Sequence, residues 1–72
     1  MESKTDISII SPIYNEEENI RNFVNAVYST MSSQNCNWEL ILVDDGSTDS
    51  SRSLLRSLAK DHHNLRVLLL SK

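Results

Sequence analysis

The apolar positions of this chain fall into five groups whose spacing alternates between two periods. Ile7-Ser8-Ile9-Ile10 is a short β-branched run bounded by Asp6 and Pro12. It reads as a buried strand that ends near Pro12, since proline has no N–H to give a ladder. Ile20, Phe23, Val24, Val27, Tyr28 and Met31 then recur at i, i+3, i+4, i+7, i+8 and i+11. That is one apolar stripe on a helical period and predicts an amphipathic helix. Asn15 is placed as its N-cap, with Glu16, Glu17 and Glu18 in the first turn against the positive end of the helix dipole. Residues 32–37 are polar and close the helix as a loop. Trp38-Glu39-Leu40-Ile41-Leu42-Val43 follows as a second strand. Its near-continuous apolar run predicts burial on both faces, as in a central parallel strand. Residues 44–49 (Asp-Asp-Gly-Ser-Thr-Asp) break it, and Ser47, Thr48 and Asp49 offer N-caps to a second helix. Leu54, Leu55, Leu58 and Ala59 form the buried face of that helix, with Arg52, Arg56 and Lys60 toward solvent. Asp61-His62-His63-Asn64 ends it, and Leu65-Arg66-Val67-Leu68-Leu69-Leu70 is the third strand.

Alternating strands and helices imply parallel strands joined by right-handed crossovers. The expected fold class is α/β: a partial Rossmann-like β-α-β-α-β unit with strand order 3-2-1. In open α/β sheets, ligands bind beyond the carboxyl ends of the strands. Here those ends are residues 11–15 and 44–49. Parallel strands place both loops on one edge, so segments about 30 residues apart converge on one crevice.

Composition narrows what that crevice can hold. With 72 residues the chain forms one small domain at most. A chain of this size buries only about 60% of the surface it exposes when unfolded. Its 39% apolar content is grouped and periodic, which argues against disorder. The net charge is −3 and no basic cluster exists, so a nucleic-acid polymer is not an expected partner. A single nucleotide, held by base and ribose contacts, is compatible with that charge. Cys36 is the only cysteine, so no internal disulfide forms. It has no basic neighbour to activate it and suits a reducing setting. Residues 1–6 are polar and lack the apolar region of a signal peptide. No run approaches the roughly 20 apolar residues of a membrane span. A cytoplasmic location is expected, at the cytoplasmic face of a membrane if a longer protein carries an anchor.

The two loops carry the candidate chemistry. Tyr14 can stack on a planar base, Pro12 stiffens the backbone and leaves its carbonyl free, and Glu16 is an acceptor at a helix start. Taken alone, that loop is explained more simply as a turn with dipole-complementing carboxylates. The second loop is more informative. Carboxylates at the end of an apolar strand are costly unless satisfied. Side chains alternate along a strand, so Asp44 and Asp45 point in different directions. One braces neighbouring backbone, and the other reaches the crevice to accept from a base N–H or a ribose hydroxyl. An Asp-Gly turn that caps the next helix competes evenly with this reading. Only the combination of loops favours a ligand. Gly46 is the only glycine, which excludes G-x-G-x-x-G and P-loop motifs. There is no Cys/His set for zinc. Adjacent His62 and His63 do not share a helix face and read as structural.

These residues also carry a resemblance. Residues 8–20 (Ser-Ile-Ile-Ser-Pro-Ile-Tyr-Asn-Glu-Glu-Glu-Asn-Ile) followed by residues 39–49 (Glu-Leu-Ile-Leu-Val-Asp-Asp-Gly-Ser-Thr-Asp) resemble the start of family 2 glycosyltransferases. These are GT-A-fold enzymes that use nucleotide-sugar donors. The wording is most similar to the branch that glycosylates polyprenyl or dolichyl phosphate. The resemblance covers residues 6–72, so residues 1–72 read as the N-terminal nucleotide-binding part of such a domain. It implies that Pro12 and Tyr14 line the base pocket, with Tyr14 against the base face. By the same resemblance Asp45 accepts from the base, Val43 contributes wall or backbone contact, and Glu16 sits near the ribose or base edge. Asp44 is left a structural role. The implied reaction moves a hexose from a UDP- or GDP-sugar to a lipid phosphate or glycan acceptor, with inversion. A lipid phosphate is already anionic and needs no strong general base. The family's divalent metal (Mg or Mn) neutralises the departing diphosphate. Its Asp-x-Asp motif is absent here, so the chain supplies no metal ligand and no catalytic residue. It reads as an inactive fragment.

Two other classes compete. Phospho-receiver modules also carry paired aspartates after an apolar strand. Theirs, however, follow the first strand, and residues 65–72 contain no phosphate-accepting Asp. A non-catalytic interaction piece would self-associate through the open sheet edge near Ile7-Ser8-Ile9-Ile10.

Overall fold

The structure, a computed structural model, describes residues 4–70. The expectations for residues 1–3 and 71–72 lie outside the described residues. The chain runs β1 (Ile7–Ile13), α1 (Ile20–Met31), β2 (Trp38–Asp44), α2 (Ser51–Asp61) and β3 (Leu65–Leu69). All strand pairings are parallel and the order is β1-β2-β3. This is the expected 3-2-1 arrangement read from the opposite edge, with β2 in the middle.

The register defines two unlike faces. Ile9, Leu40 and Leu65 lie level with one another, as do Ser11, Leu42 and Val67, and Ile13, Asp44 and Leu69. These rows face the helices. Leu40 and Leu42 are fully buried there with Val24 of α1 and Leu55 of α2, in a core completed by Ile13, Ile20, Leu58 and Leu65. The intervening rows, Ile10-Ile41-Arg66 and Pro12-Val43-Leu68, face the other way. Ile10 is 66% exposed and Leu68 is 53% exposed.

Two expectations are corrected by this arrangement. β1 is not a buried strand: of its residues only Ile13 is buried. β2 is not buried on both faces: Leu40, Leu42 and Asp44 are buried, whereas Ile41 and Val43 are half-buried. Strands in consecutive order with crossovers of one hand put both helices on the same side. The sheet therefore has one covered face and one open one.

The helices also differ from their expected limits. Asn15 is not the N-cap of α1. Asn19 holds that place without a side-chain cap, and no acidic residue lies in the first turn. Glu16–18 precede the helix, in a turn where the Glu16 carbonyl accepts from the amides of Asn19 (2.9 Å) and Ile20 (3.1 Å). Ile20, Val24 and Met31 of the apolar stripe are buried, but Phe23 is 36% exposed. It lines an open groove of about 220 Å³ with Ile9, Ala26, Val27, Thr30 and Met31. β1 is the sheet's edge, and among the described residues no further helix packs beyond α1. In α2, Leu55, Leu58 and Ser51 are buried. Leu54 and Ala59 are half-buried, and Arg52, expected in solvent, turns inward.

The opposite end of the sheet is closed by aromatic packing. Tyr28 meets Trp38 edge-on with centroids 4.7 Å apart, and its hydroxyl accepts from the Asn64 amide at 3.1 Å. Burial raises the Tyr28 phenol pKa, and the Asn64 hydrogen bond partly opposes this. His62 packs on the same ring, and its Nδ1 lies 2.9 Å from the Leu58 carbonyl. That contact gives His62 a structural place far from the carboxyl edge.

Candidate functional site

The carboxyl edge is built by the two loops that leave β1 and β2. Ile13 pairs with Asp44, and the Asp45 amide donates to the Ile13 carbonyl at 3.0 Å. The parallel ladder thus continues one step past β2, and Tyr14 and Asp45 leave their strands side by side. One row earlier, Pro12 is level with Val43 on the open face.

The paired aspartates divide as alternation requires. Asp44 is fully buried and Asp45 is exposed. The Asp44 carboxylate accepts from the Ser47 hydroxyl and from the Ser47 amide at 3.1 Å. Arg52 Nε stands 3.0 Å from Oδ2, the same carboxylate oxygen that accepts from the Ser47 amide. This is a charge contact rather than an aligned hydrogen bond, because the buried Nε directs its hydrogen at no acceptor among the described residues. Arg52 also donates through Nη2 to the Leu70 carbonyl at 3.1 Å, and the Leu70 amide donates to the Asp44 carbonyl at 2.9 Å. Asp44 therefore anchors the ends of β2 and β3 and the start of α2 together.

A second set of bonds ties the two loops to each other. Asn15 sits at φ 49°, in the left-handed region that Asn tolerates better than other residues with a Cβ. Its amide donates to Ser47 Oγ at 2.9 Å. Its side-chain Oδ1 accepts from the amides of Thr48 (2.7 Å) and Asp49 (3.2 Å). The Glu16 amide donates to Ser51 Oγ at 3.0 Å, and the Glu17 amide donates to Asp49 Oδ2 at 3.4 Å. Of the three residues expected to cap α2 locally, Ser47, Thr48 and Asp49, only Asp49 accepts from an amide at the helix start, that of Ser51, and the amides of Thr48 and Asp49 are met from the other loop. Sequence reading missed the roles of Asn15 and Ser51. The available signal was an Asn, a residue that favours the left-handed region, where a strand ends and a polar loop begins.

Asp49 also accepts from the Ser51 amide at 2.9 Å. The Ser51 hydroxyl, followed by the Ser51 and Glu17 amides, holds the Asp49 carboxyl below the ordinary aspartate value. A depressed carboxyl stabilises the fold above its unfolded pKa and ceases to do so as pH falls through its folded pKa. The Asp49 carboxylate is therefore ionised at neutral pH, and its own hydrogen bonds to the Ser51 and Glu17 amides weaken as it protonates in acid. NMR titration of the Glu17 and Ser51 amides should give a midpoint below that of an unperturbed aspartate. A midpoint at or above it would contradict this role.

Of the residues singled out by sequence, Pro12, Tyr14, Val43 and Asp45 come together where the open face meets the edge. Tyr14 is 53% exposed. Glu16 lies beyond the Asn15 junction, in a polar recess of about 300 Å³ lined with Asn15, Glu17, Glu18, Asn19 and Asp49. Among the described residues, no three His, Cys, Asp or Glu side chains come together to hold a metal ion. The described residues do not make a site for the metal that the resemblance implies. No helix among them is long and apolar enough to cross a membrane.

Residues 8–72 match the model described as Glycosyl transferase family 2. The chain belongs to this family. Among its relatives are proteins named undecaprenyl-phosphate 4-deoxy-4-formamido-L-arabinose transferase, from Salmonella choleraesuis, Salmonella paratyphi B and Salmonella newport. Each is 35% identical over 65 residues, which cover 88% of this chain and 20% of the relative. The chain thus spans about a fifth of the length of these family members. Their name places them in the polyprenyl-phosphate branch, to which the Tyr-Asn-Glu-Glu-Glu-Asn-Ile motif of residues 14–20 is also similar.

Proposed function

We propose that the rim binds the nucleobase end of a nucleotide-sugar, and that the chain is the donor-recognition part of a glycosyltransferase acting on a polyprenyl phosphate. The observation that carries this reading is the register. It sets Pro12 beside Val43 and brings Tyr14 and Asp45 off their strands together, while Asp44 is buried beneath them. A ring that can stack and a carboxylate that can accept are then neighbours on a braced edge. Stacking supplies affinity for any base, and a carboxylate acceptor selects bases with an N–H to donate. Glu16, on the far side of Asn15, is assigned to the ribose side of the ligand.

The acceptor class rests on the relatives, whose name specifies undecaprenyl phosphate. That name also specifies an arabinose derivative, a pentose, so the donor sugar is not restricted to hexoses. The divalent metal of the family would be held by residues other than those described. The chain alone is therefore assigned binding without sugar transfer, and turnover by it would overturn that assignment.

The test is titration of UDP and GDP into the chain, followed by NMR of the rim amides. Saturable shifts confined to residues 11–15 and 43–49 are expected with one of the two nucleotides. Tyr14→Ala and Asp45→Ala should each weaken binding by about tenfold, the loss of one stacked base or one charge-assisted hydrogen bond. Unperturbed rim amides with both nucleotides, or variants that bind as the parent does, would refute the reading.

A further inference from the structure

We infer that Asn15 is a positioning residue for the nucleobase site, setting the spacing between Tyr14 and Asp45. The inference rests on the proposed base-binding reading and adds to it the residue that makes two loops one site.

Tyr14 and Asp45 belong to loops with no covalent link nearer than the whole of α1 and β2. The β1–β2 ladder ends at the Ile13–Asp44 pair, with one further bond from the Asp45 amide. Beyond that row the loops stay together through side chains, and Asn15 occupies the centre of the junction. Its amide reaches Ser47, and its Oδ1 gathers the consecutive amides of Thr48 and Asp49, across separations of 32–34 residues. Ser47 is in turn held by the buried Asp44 carboxylate. A continuous path therefore runs from Asp44, next to Asp45, through Ser47 to Asn15, next to Tyr14.

The chemistry selects this residue type. The position needs a side-chain acceptor short enough to meet two successive amides while its own backbone stays left-handed at φ 49°. Asn and Asp satisfy both needs. Glycine satisfies only the backbone, and alanine satisfies neither. The Asn15 Oδ1 is taken up by loop backbone, so its effect on binding is exerted through Tyr14 and Asp45.

The experiment is a double-mutant cycle on the whole chain, with UDP and GDP as probes and dissociation constants read by NMR from the folded population. Asn15→Gly keeps the left-handed backbone and removes the acceptor. It should weaken nucleotide binding by about tenfold in the parent, the scale of lost hydrogen bonds. In the Tyr14→Ala/Asp45→Ala background it should weaken binding by less than about twofold, because no spacing is left to set. Asn15→Asp restores the acceptor and should bind within about threefold of the parent. An equal loss in both backgrounds would make Asn15 merely structural and overturn the inference. If Tyr14→Ala and Asp45→Ala weaken binding but Asn15→Gly does not, the positioning role alone falls. If those two variants bind normally, the base site falls and the positioning role with it. Where the glycine variant does not fold, Asn15→Ser, whose shorter side chain cannot hold both amides, takes its place in the cycle: a loss confined to the parent background sustains the role, and an equal loss in both backgrounds or no loss ends it.

Discussion

Replacing Asp44 by alanine should lower the stability of the chain by about 2–3 kcal/mol, whereas the same change at the adjacent Asp45 should cost under about 1 kcal/mol. The difference follows from burial. Asp44 has no exposed surface and serves the Ser47 amide, the Ser47 hydroxyl and the Arg52 guanidinium. Alanine leaves two buried Ser47 donors without an acceptor, at about 1–3 kcal/mol for such a group. It also strips Arg52 of its counter-ion. Breaking a fully buried ion pair costs about 3–5 kcal/mol. The Arg52 side chain is 32% exposed and can turn to water, so the lower end of the combined range applies. Asp45 lies at the exposed rim, where substitutions have small effects. Urea denaturation of the two variants tests this directly. Equal losses would mean that the aspartates are not divided between bracing and exposure. The functional readout should run in the opposite order. Asp45→Ala keeps its stability and loses nucleotide affinity, whereas Asp44→Ala loses stability but, in the population that stays folded, retains Tyr14 and Asp45 to bind.

Leu42→Ala should be the most damaging single truncation, with an expected cost of about 3–4 kcal/mol. Leu42 is fully buried in the central strand, level with Ser11 and Val67 and beneath both helices. The β-sheet backbone cannot collapse into the space a lost isobutyl group leaves, so the cavity term adds to the transfer term. Small domains sit near the low end of a range that starts at about 5 kcal/mol, so most of the margin would be gone. A lowered urea midpoint and a lowered melting temperature would register it. Leu68→Ala is the matched control. Leu68 sits on β3 one row beyond Val67, with its side chain on the open face and 53% exposed. It should cost under about 1 kcal/mol. Comparable losses at Leu42 and Leu68 would contradict a sheet covered on one face only.

The apolar periods were enough to place both helices and all three strands in order, and to predict a parallel sheet with two loops converging on one edge. They did so because a strand or helix must bury a recurring face, and the recurrence is written locally. The same local rule separated Asp44 from Asp45, since successive strand side chains point to opposite faces. Face coverage was not legible in the same way. Ile10 and Leu68 look like core residues by type, and only the placement of both helices on one side leaves them exposed. Arg52 read as a solvent residue because its helical neighbours are polar. It turns inward because the chain brings a buried carboxylate next to it from the preceding strand end. Asn15 and Ser51 are the clearest cases. Local pattern made Asn15 a helix cap, but its partners lie 32–34 residues away. Hydrogen bonds between loops depend on which strands are neighbours and in what register, and that is decided only when the sheet forms. The sequence by itself thus determined the edge on which the two loops converge and the residues that each loop brings there. Tertiary structure decided how those residues are held together, because the holding groups meet only across the finished register.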